Sequence, residues 1–315
     1  MNGATHRVLC IGEAMAMVTP SSPGPLATSD QFTVSAGGAE SNVASHLAGL
    51  GLESIWLSRL GDDALGDRIL TALAERGVDL SRVIRDPSAR TGVYFKDPLP
   101  GRHATVSYYR DGSAASRMSV DDLRRWPMGS ATWVHTSGIT AAISPSCSEL
   151  VEQVISDASG LGYCVSFDVN YRPALWSEAD AAQRCLQLGR SCSVLFVGLD
   201  EAQLLWGVSA AEDVANLFDT VPHVVVKDGA VEAVEITQAS GIRDVTRVPA
   251  KSVEVVEAVG AGDAFAAGFL AGYLRGHPSH ERLSAGHELA AWTLGTLADF
   301  RPFPSTHDPI GSTPQ

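Results

Sequence analysis

The feature that most constrains this chain is a regular alternation of short apolar runs with longer segments of helical periodicity. From Thr132 onward it reads strand Thr132–Thr136, helix Cys147–Ser159, strand Cys164–Asp168, helix Glu178–Gly189, strand Val194–Val197, helix Ala210–Asp219 and strand His223–Lys227. Continuous apolar strands separated by helices predict a parallel sheet covered on both faces. The first part has the same rhythm: strand Val8–Ile11 ended by Gly12 and Glu13, helix Ala39–Leu50, strand Ser54–Leu60 and helix Ala64–Arg76. A strand that stops at a glycine and a carboxylate has the form of one whose end opens into a site.

Two stretches break the pattern. Residues 14–38 hold the turn-rich segment Pro20–Asp30 and an alternating strand, Gln31–Ser35. Residues 90–115 hold strands Thr91–Phe95 and Ala104–Tyr109, which the linking KDPLPGRH marks as a hairpin. Both insertions carry strand character, so they are expected to pair into one small sheet over the α/β body. That body would comprise 1–13, 39–89 and 116–305, with a loose Pro/Ser/Thr-rich tail at 306–315. A second hairpin, Glu232–Thr237 with Ile242–Val248, precedes an apolar helix, Ala264–Leu274, and a further helix, Glu288–Ala298.

Charge narrows the partners. The chain carries 23 basic and 36 acidic side chains, a net charge of −13, which does not suit a nonspecific nucleic-acid or anionic-membrane binder. Five cysteines without a CxxC pair argue against a disulfide scaffold or zinc knuckle. No apolar run reaches the ~18 residues of a membrane span, and the start of the chain has no secretory pattern. A cytoplasmic location is expected. The histidines show no zinc-like spacing, and Gly12 lacks the GxGxxG setting of a dinucleotide fold.

The strongest local signal is VGAGDAFAAGFLAGYL, Val259–Leu274. Gly260, Ala261 and Gly262 run straight into a helix, so successive N–H groups and the helix N-terminus can converge into an anion hole. Asp263 beside such a hole would repel a resting phosphate but could take a proton from an attacking hydroxyl; an N-cap role is the structural alternative. In SAGGAESNVASHLAGLG, Gly37 and Gly38 permit close approach of a ligand, and Asn42 offers an amide to sugar hydroxyls. The segment SRLGDDALGDRIL reads as a capped turn.

In order, the diglycine helix entry, RLGDDALGD, DVNYR (Asp168–Arg172), VVKDGAVEA and VGAGDAFAAGFL resemble the ribokinase-like carbohydrate kinases of the PfkB family, from about Val8 to Phe300. The resemblance implies a three-layer α/β sandwich with a β-sheet lid. It further implies ATP- and Mg²⁺-dependent phosphorylation of a sugar hydroxyl, with Asp263 as base and Gly260–Gly262 as the anion hole. Lys227 and Gly229 would face the nucleotide along with Gly260 and Gly262, and Glu201 of GLDE would act toward magnesium through water.

Within the family, VSYYRDGSAASRMS is similar to a segment of the 2-keto-3-deoxygluconate kinases. This implies substrate contacts from Tyr94, Tyr108, Arg110, Arg172 and Asp299. Guanidinium groups bind a sugar acid's carboxylate bidentately, which gives two arginines a reason to be there. The expected partners are a small sugar acid and ATP, with a homodimer or higher oligomer through the lid. A neutral-sugar kinase, or a non-catalytic sugar-binding protein on the same fold, is the rival reading. The chain departs from the family at Glu257, Ala258 and Val259, where hydroxyls for a monovalent-cation site are missing. Gly198 and Glu232 depart as well, at the metal and nucleotide segments.

Overall fold

The computed structural model describes residues 6–22, 24–97, 105–239, 242–253, 255, 259–296 and 300–301. β1 (Arg7–Ile11) leads into β2 (Met15–Pro20) and β3 (Phe32–Gly37), followed by α1 (Ala39–Gly49), β4 (Glu53–Leu57), β5 (Arg59–Gly61), α2 (Ala64–Glu75) and β6 (Ile84–Asp86). β7 (Val93–Asp97) and β8 (Thr105–Tyr109) come next. Then β9 (Trp133–Ser137), α3 (Gly138–Ile143), α4 (Pro145–Leu161), β10 (Cys164–Asp168), α5 (Glu178–Gly189), β11 (Val194–Gly198), α6 (Leu199–Trp206), α7 (Ala211–Leu217) and β12 (His223–Asp228) alternate. The hairpin of β13 (Glu232–Ala239) and β14 (Ile242–Pro249) precedes α8 (Ala261–Leu274) and α9 (Ser279–Leu294).

The large sheet has eight strands in the order β14-β13-β12-β11-β10-β9-β1-β4. It is parallel from β4 to β12 and antiparallel only in the terminal hairpin. Successive residues of its strands bury into opposite layers. On β11, Leu195 and Val197 pack toward the side of α4–α7, while Val194 and Phe196 pack toward α1, α8 and α9. Both faces are therefore covered, which explains why these strands read as unbroken apolar runs.

The small sheet has the order β3-β2-β7-β8. Both sequence insertions contribute to it, through a parallel β2–β7 contact and antiparallel β2–β3 and β7–β8 hairpins. The fold is an α/β sandwich with a separate small sheet.

Two elements differ from the sequence reading. The run Ser54–Leu60 breaks at Ser58: β4 joins the large sheet, while β5 turns away to pair with β6. α9 begins at Ser279, well before Glu288, because its first turns bury polar groups that break the apolar period. There Arg282 is gripped by both oxygens of Glu235 on β13, at 2.7 and 2.6 Å. Its guanidinium also lies over the rings of Phe269 and Tyr273. α6, over the GLDE segment, and β2 carried no sequence expectation of their own.

α8 is buried from Ala264 to Gly272. It lies so close to α9 that a Cβ on Gly268 would stand 2.5 Å from the Ala285 carbonyl oxygen. The small-residue spacing of this helix thus serves packing.

Candidate active site

Parallel strands end together, and five such ends meet the N-terminus of α8 in one crevice, the usual location of ligand sites in sheets of this kind. The loops after β1, β10 and β12, the start of α6 and the small sheet enclose a cavity of about 410 Å³. That volume suits a small ligand.

Asp263 lies in the first turn of α8 and lines the cavity. It is not the N-cap: that position is Gly260, at φ +82° in the left-handed region that glycine adopts without strain. Ala261 and Gly262 form the opening turn of the helix itself, so the expected anion hole falls on a helix N-terminus, whose first N–H groups lack intrahelical partners. The Asp263 carboxylate instead accepts from Asn42 Nδ2 on α1, at 2.9 Å. Burial pushes its carboxyl up to about 7, with Asp168 and Glu40 adding to the rise and Asn42 and Arg172 opposing it.

Lys227, at the end of β12, donates to Asp168 Oδ2 at 2.7 Å. Burial pulls its ammonium down, but Asp168, Glu201 and Asp263 outweigh that and the net shift is upward. A Cβ on Gly262 would lie 3.6 Å from Lys227 Nζ, so this cation sits directly over the helix N-terminus. Gly229 occupies the exposed β12–β13 turn at φ +46° and does not line the cavity. Glu232 is paired with Arg247 on β14, at 2.5 Å, which neutralises the acidic departure in the nucleotide segment.

Glu201 accepts from the backbone N–H groups of Tyr171 and Gly198, each at 2.8 Å. Burial raises its carboxyl above the ordinary range, and Asp168 adds to this. Asp168 Oδ1 is buried without a hydrogen-bond partner among the described residues. No cluster of three metal-ligating side chains is found among the described residues. An orphaned carboxylate oxygen beside Lys227 fits a magnesium ion that keeps most of its waters and is held mainly by phosphates.

The opposite wall comes from the small sheet. Tyr94 and Tyr108 are cross-strand partners on β7 and β8, with ring centroids 5.8 Å apart. Arg110 follows β8, is 8% exposed, and forms an ion pair with Glu13. Burial raises the Glu13 carboxyl, whereas Arg110 and Ser113 hold it down, so its charge depends on Arg110 staying beside it. Arg172 lines the cavity from the segment after β10, its Nη1 donating to the Tyr171 carbonyl at 2.9 Å. Gly37 and Gly38 also line it, but the place of a Cβ on Gly38 is filled by the Glu13 carbonyl, 2.2 Å away. Gly38 must be small because two backbones cross there, and it lines the cavity as well. Asp299, Glu257 and Ala258 lie outside the described residues.

Four polar lining residues were assigned no substrate, nucleotide or metal role in the sequence reading: Glu13, Lys96, Asp168 and Asn170. Lys96 lies two positions from Tyr94, so the period of β7 places both on one face. Asp168 opens DVNYR, and Glu13 is the carboxylate at the end of β1. Asn170 has φ +41°, which no local signal announced.

A pfkB family carbohydrate kinase model matches residues 5–304. The 2-dehydro-3-deoxygluconokinase of Thermoproteus tenax is 35% identical over 96% of this chain and 92% of its own length. The 2-dehydro-3-deoxygalactonokinase of Haloferax volcanii is 31% identical over 91% and 90%. Among solved structures, a PfkB protein from Polaromonas sp. JS666 superposes with a TM-score of 0.85 at 34% identity, covering 93% of this chain and 97% of that one.

Proposed function

The chain belongs to the pfkB family of carbohydrate kinases, and from that premise we propose that it transfers the γ-phosphoryl group of ATP to the terminal hydroxyl of a 2-dehydro-3-deoxy sugar acid. The gluconate or galactonate form would be the substrate, since relatives named for each resemble the chain at comparable identity. The observation that carries the reading is a single cavity lined both by Asp263 and the N-terminus of α8 and by the guanidinium groups of Arg110 and Arg172. A hydroxy acid spanning it would put its alcohol at the carboxylate and its own carboxylate at the guanidinium groups.

In this mechanism Asp263 takes the hydroxyl proton as the alcohol attacks phosphorus. The N–H groups of Ala261 and Gly262, aligned by Gly260, stabilise the charge on the transferred group, with Lys227 beside them. Magnesium bound to the phosphates, oriented by Asp168 and by Glu201 through water, would supply further charge neutralisation. Tyr94, Tyr108 and Arg110 would hold the sugar from a lid formed by 14–38 and 90–115, and Gly37 and Asn42 from beneath. Lid closure would exclude water, the competing acceptor. Asp299 completes the proposed substrate contacts. Gly229 would shape the nucleotide turn without touching the sugar.

Phe32 and Tyr109 are exposed on the edge strands β3 and β8 of the small sheet. A homodimer through the lid would cover them. A cytoplasmic location, where ATP is supplied, goes with this function. The test is ADP release with 2-dehydro-3-deoxy-D-gluconate, its galactonate epimer, fructose and ribose, each with and without potassium. Higher kcat/KM for either sugar acid is expected. Faster turnover of a neutral sugar would overturn the substrate assignment.

A further inference from the structure

The chain passes between the α/β body and the small sheet four times: at 12–14, at 38, at 91–92 and at 110–113. Glu13 meets all of them. It belongs to the first crossing, and its carbonyl fills the space a Cβ on Gly38 would need, 2.2 Å away. Its Oε1 would stand 3.1 Å from a Cβ on Gly92. The same oxygen accepts from Ser113 Oγ at 2.9 Å, while Oε2 pairs with Arg110 Nη2.

Glu13, Arg110 and Ser113 are only 2%, 8% and 4% exposed. A carboxylate and a guanidinium buried this deeply exert strong mutual constraint, because neither has solvent as an alternative. Arg110 lies with its guanidinium 5.7 Å from the Tyr108 ring centroid, and its Nε has no hydrogen-bond partner among the described residues. The Nη2 edge of the guanidinium is therefore held at the junction of the sheets by the ion pair, while Arg110 also lines the cavity.

We propose that Glu13 is a positioning residue: it fixes Arg110 at the junction of the two sheets so that the guanidinium, which lines the cavity, meets the substrate's carboxylate. It acts through Arg110 and does not touch the reacting atoms. Substrate charge and lid placement are then coupled, since the arginine that receives the carboxylate is also the one that ties the exit of β8 to the entry of β2. The inference rests on the sugar-acid reading and deepens it.

The test is a double-mutant cycle on the full chain with 2-dehydro-3-deoxy-D-gluconate as substrate. Glu13→Gln keeps the shape and removes the charge. It is expected to raise the sugar-acid KM about tenfold, with kcat within threefold and the ATP KM within twofold. In the Arg110→Ala background the same substitution should change the sugar-acid KM by less than twofold. Ser113→Ala, which frees Glu13 without altering either charge, should raise that KM two- to threefold and decides the matter if Glu13→Gln does not fold. An unchanged sugar-acid KM in Glu13→Gln, or an equal loss in both backgrounds, would overturn the positioning role alone. Preference of the unmutated protein for a neutral sugar would overturn the substrate reading and this inference with it.

Discussion

Asn42 on α1 and Asp263 on α8 are 221 positions apart in the chain, yet the amide of one donates to the carboxylate of the other across 2.9 Å. This bond fixes the orientation of the proposed base. It also stabilises the charged form of a carboxyl that burial would otherwise drive still higher.

Replacing Asp263 with Asn should abolish proton removal without removing the hydrogen-bonding shape of the site. Turnover is expected to fall about 10³-fold, while sugar binding by calorimetry stays within a few-fold. Near-normal turnover would rule out the base assignment.

The pH profile follows from the same carboxyl. A base must be deprotonated, and Asp263 titrates at about 7. Log kcat/KM should therefore rise with unit slope below that pH and level off above it. In Asn42→Ala the donor that lowers this value is gone, so the acidic limb should move upward by about one unit. A limb centred near pH 4 in both proteins would contradict the assignment.

Lys227 and Asp168 form a buried pair at 2.7 Å. Lys227→Met leaves the Asp168 carboxylate unpaired where the proposed function puts phosphate. We expect the ATP KM to rise more than tenfold with the sugar KM little changed, and stability in urea to fall by about 3 kcal/mol. Equal effects on both substrates would point to a general loss of structure.

Gly268→Ala would place a methyl group against the Ala285 carbonyl, where the Cβ has only 2.5 Å. α8 and α9 must move apart, at an expected cost of about 1–3 kcal/mol in urea unfolding. Since α8 carries Asp263 in its first turn, kcat should drop as well.

Two buried histidines are expected to make the fold sensitive to acid. Burial pulls His46 down from 6.5 to about 3 and His135 from 6.5 to about 4. A depressed folded value means the unfolded chain binds the extra proton first. Stability is thus full above pH 6.5 and is lost as pH falls toward the folded values, by about 2 kcal/mol per histidine at pH 5. His46→Gln should flatten the decline measured by urea midpoints between pH 7 and pH 5; an unchanged slope would exclude His46 as a source.

The amino-acid sequence determined by itself whatever depends on local spacing. The period of the apolar runs specified a sheet covered on both faces, and Gly260 through Asp263 marked a small-residue entry to a helix with a carboxylate beside it, although the helix starts at Ala261 rather than at the expected Ala264. The lysine of VVKDG and the arginine after YY were singled out only through the family resemblance, since no local pattern around either announces a role. Tertiary structure alone decided which groups touch. Nothing near Glu13 in the chain shows that Arg110, nearly a hundred positions on, is its partner, nor that Gly38 is small to let a second backbone pass. The helical start at Ser279 was hidden for the same reason: Arg282 is buried because Glu235 is there to receive it. Patterning reports how much of a residue must leave water, whereas pairing of buried charges depends on distances that only the folded chain creates.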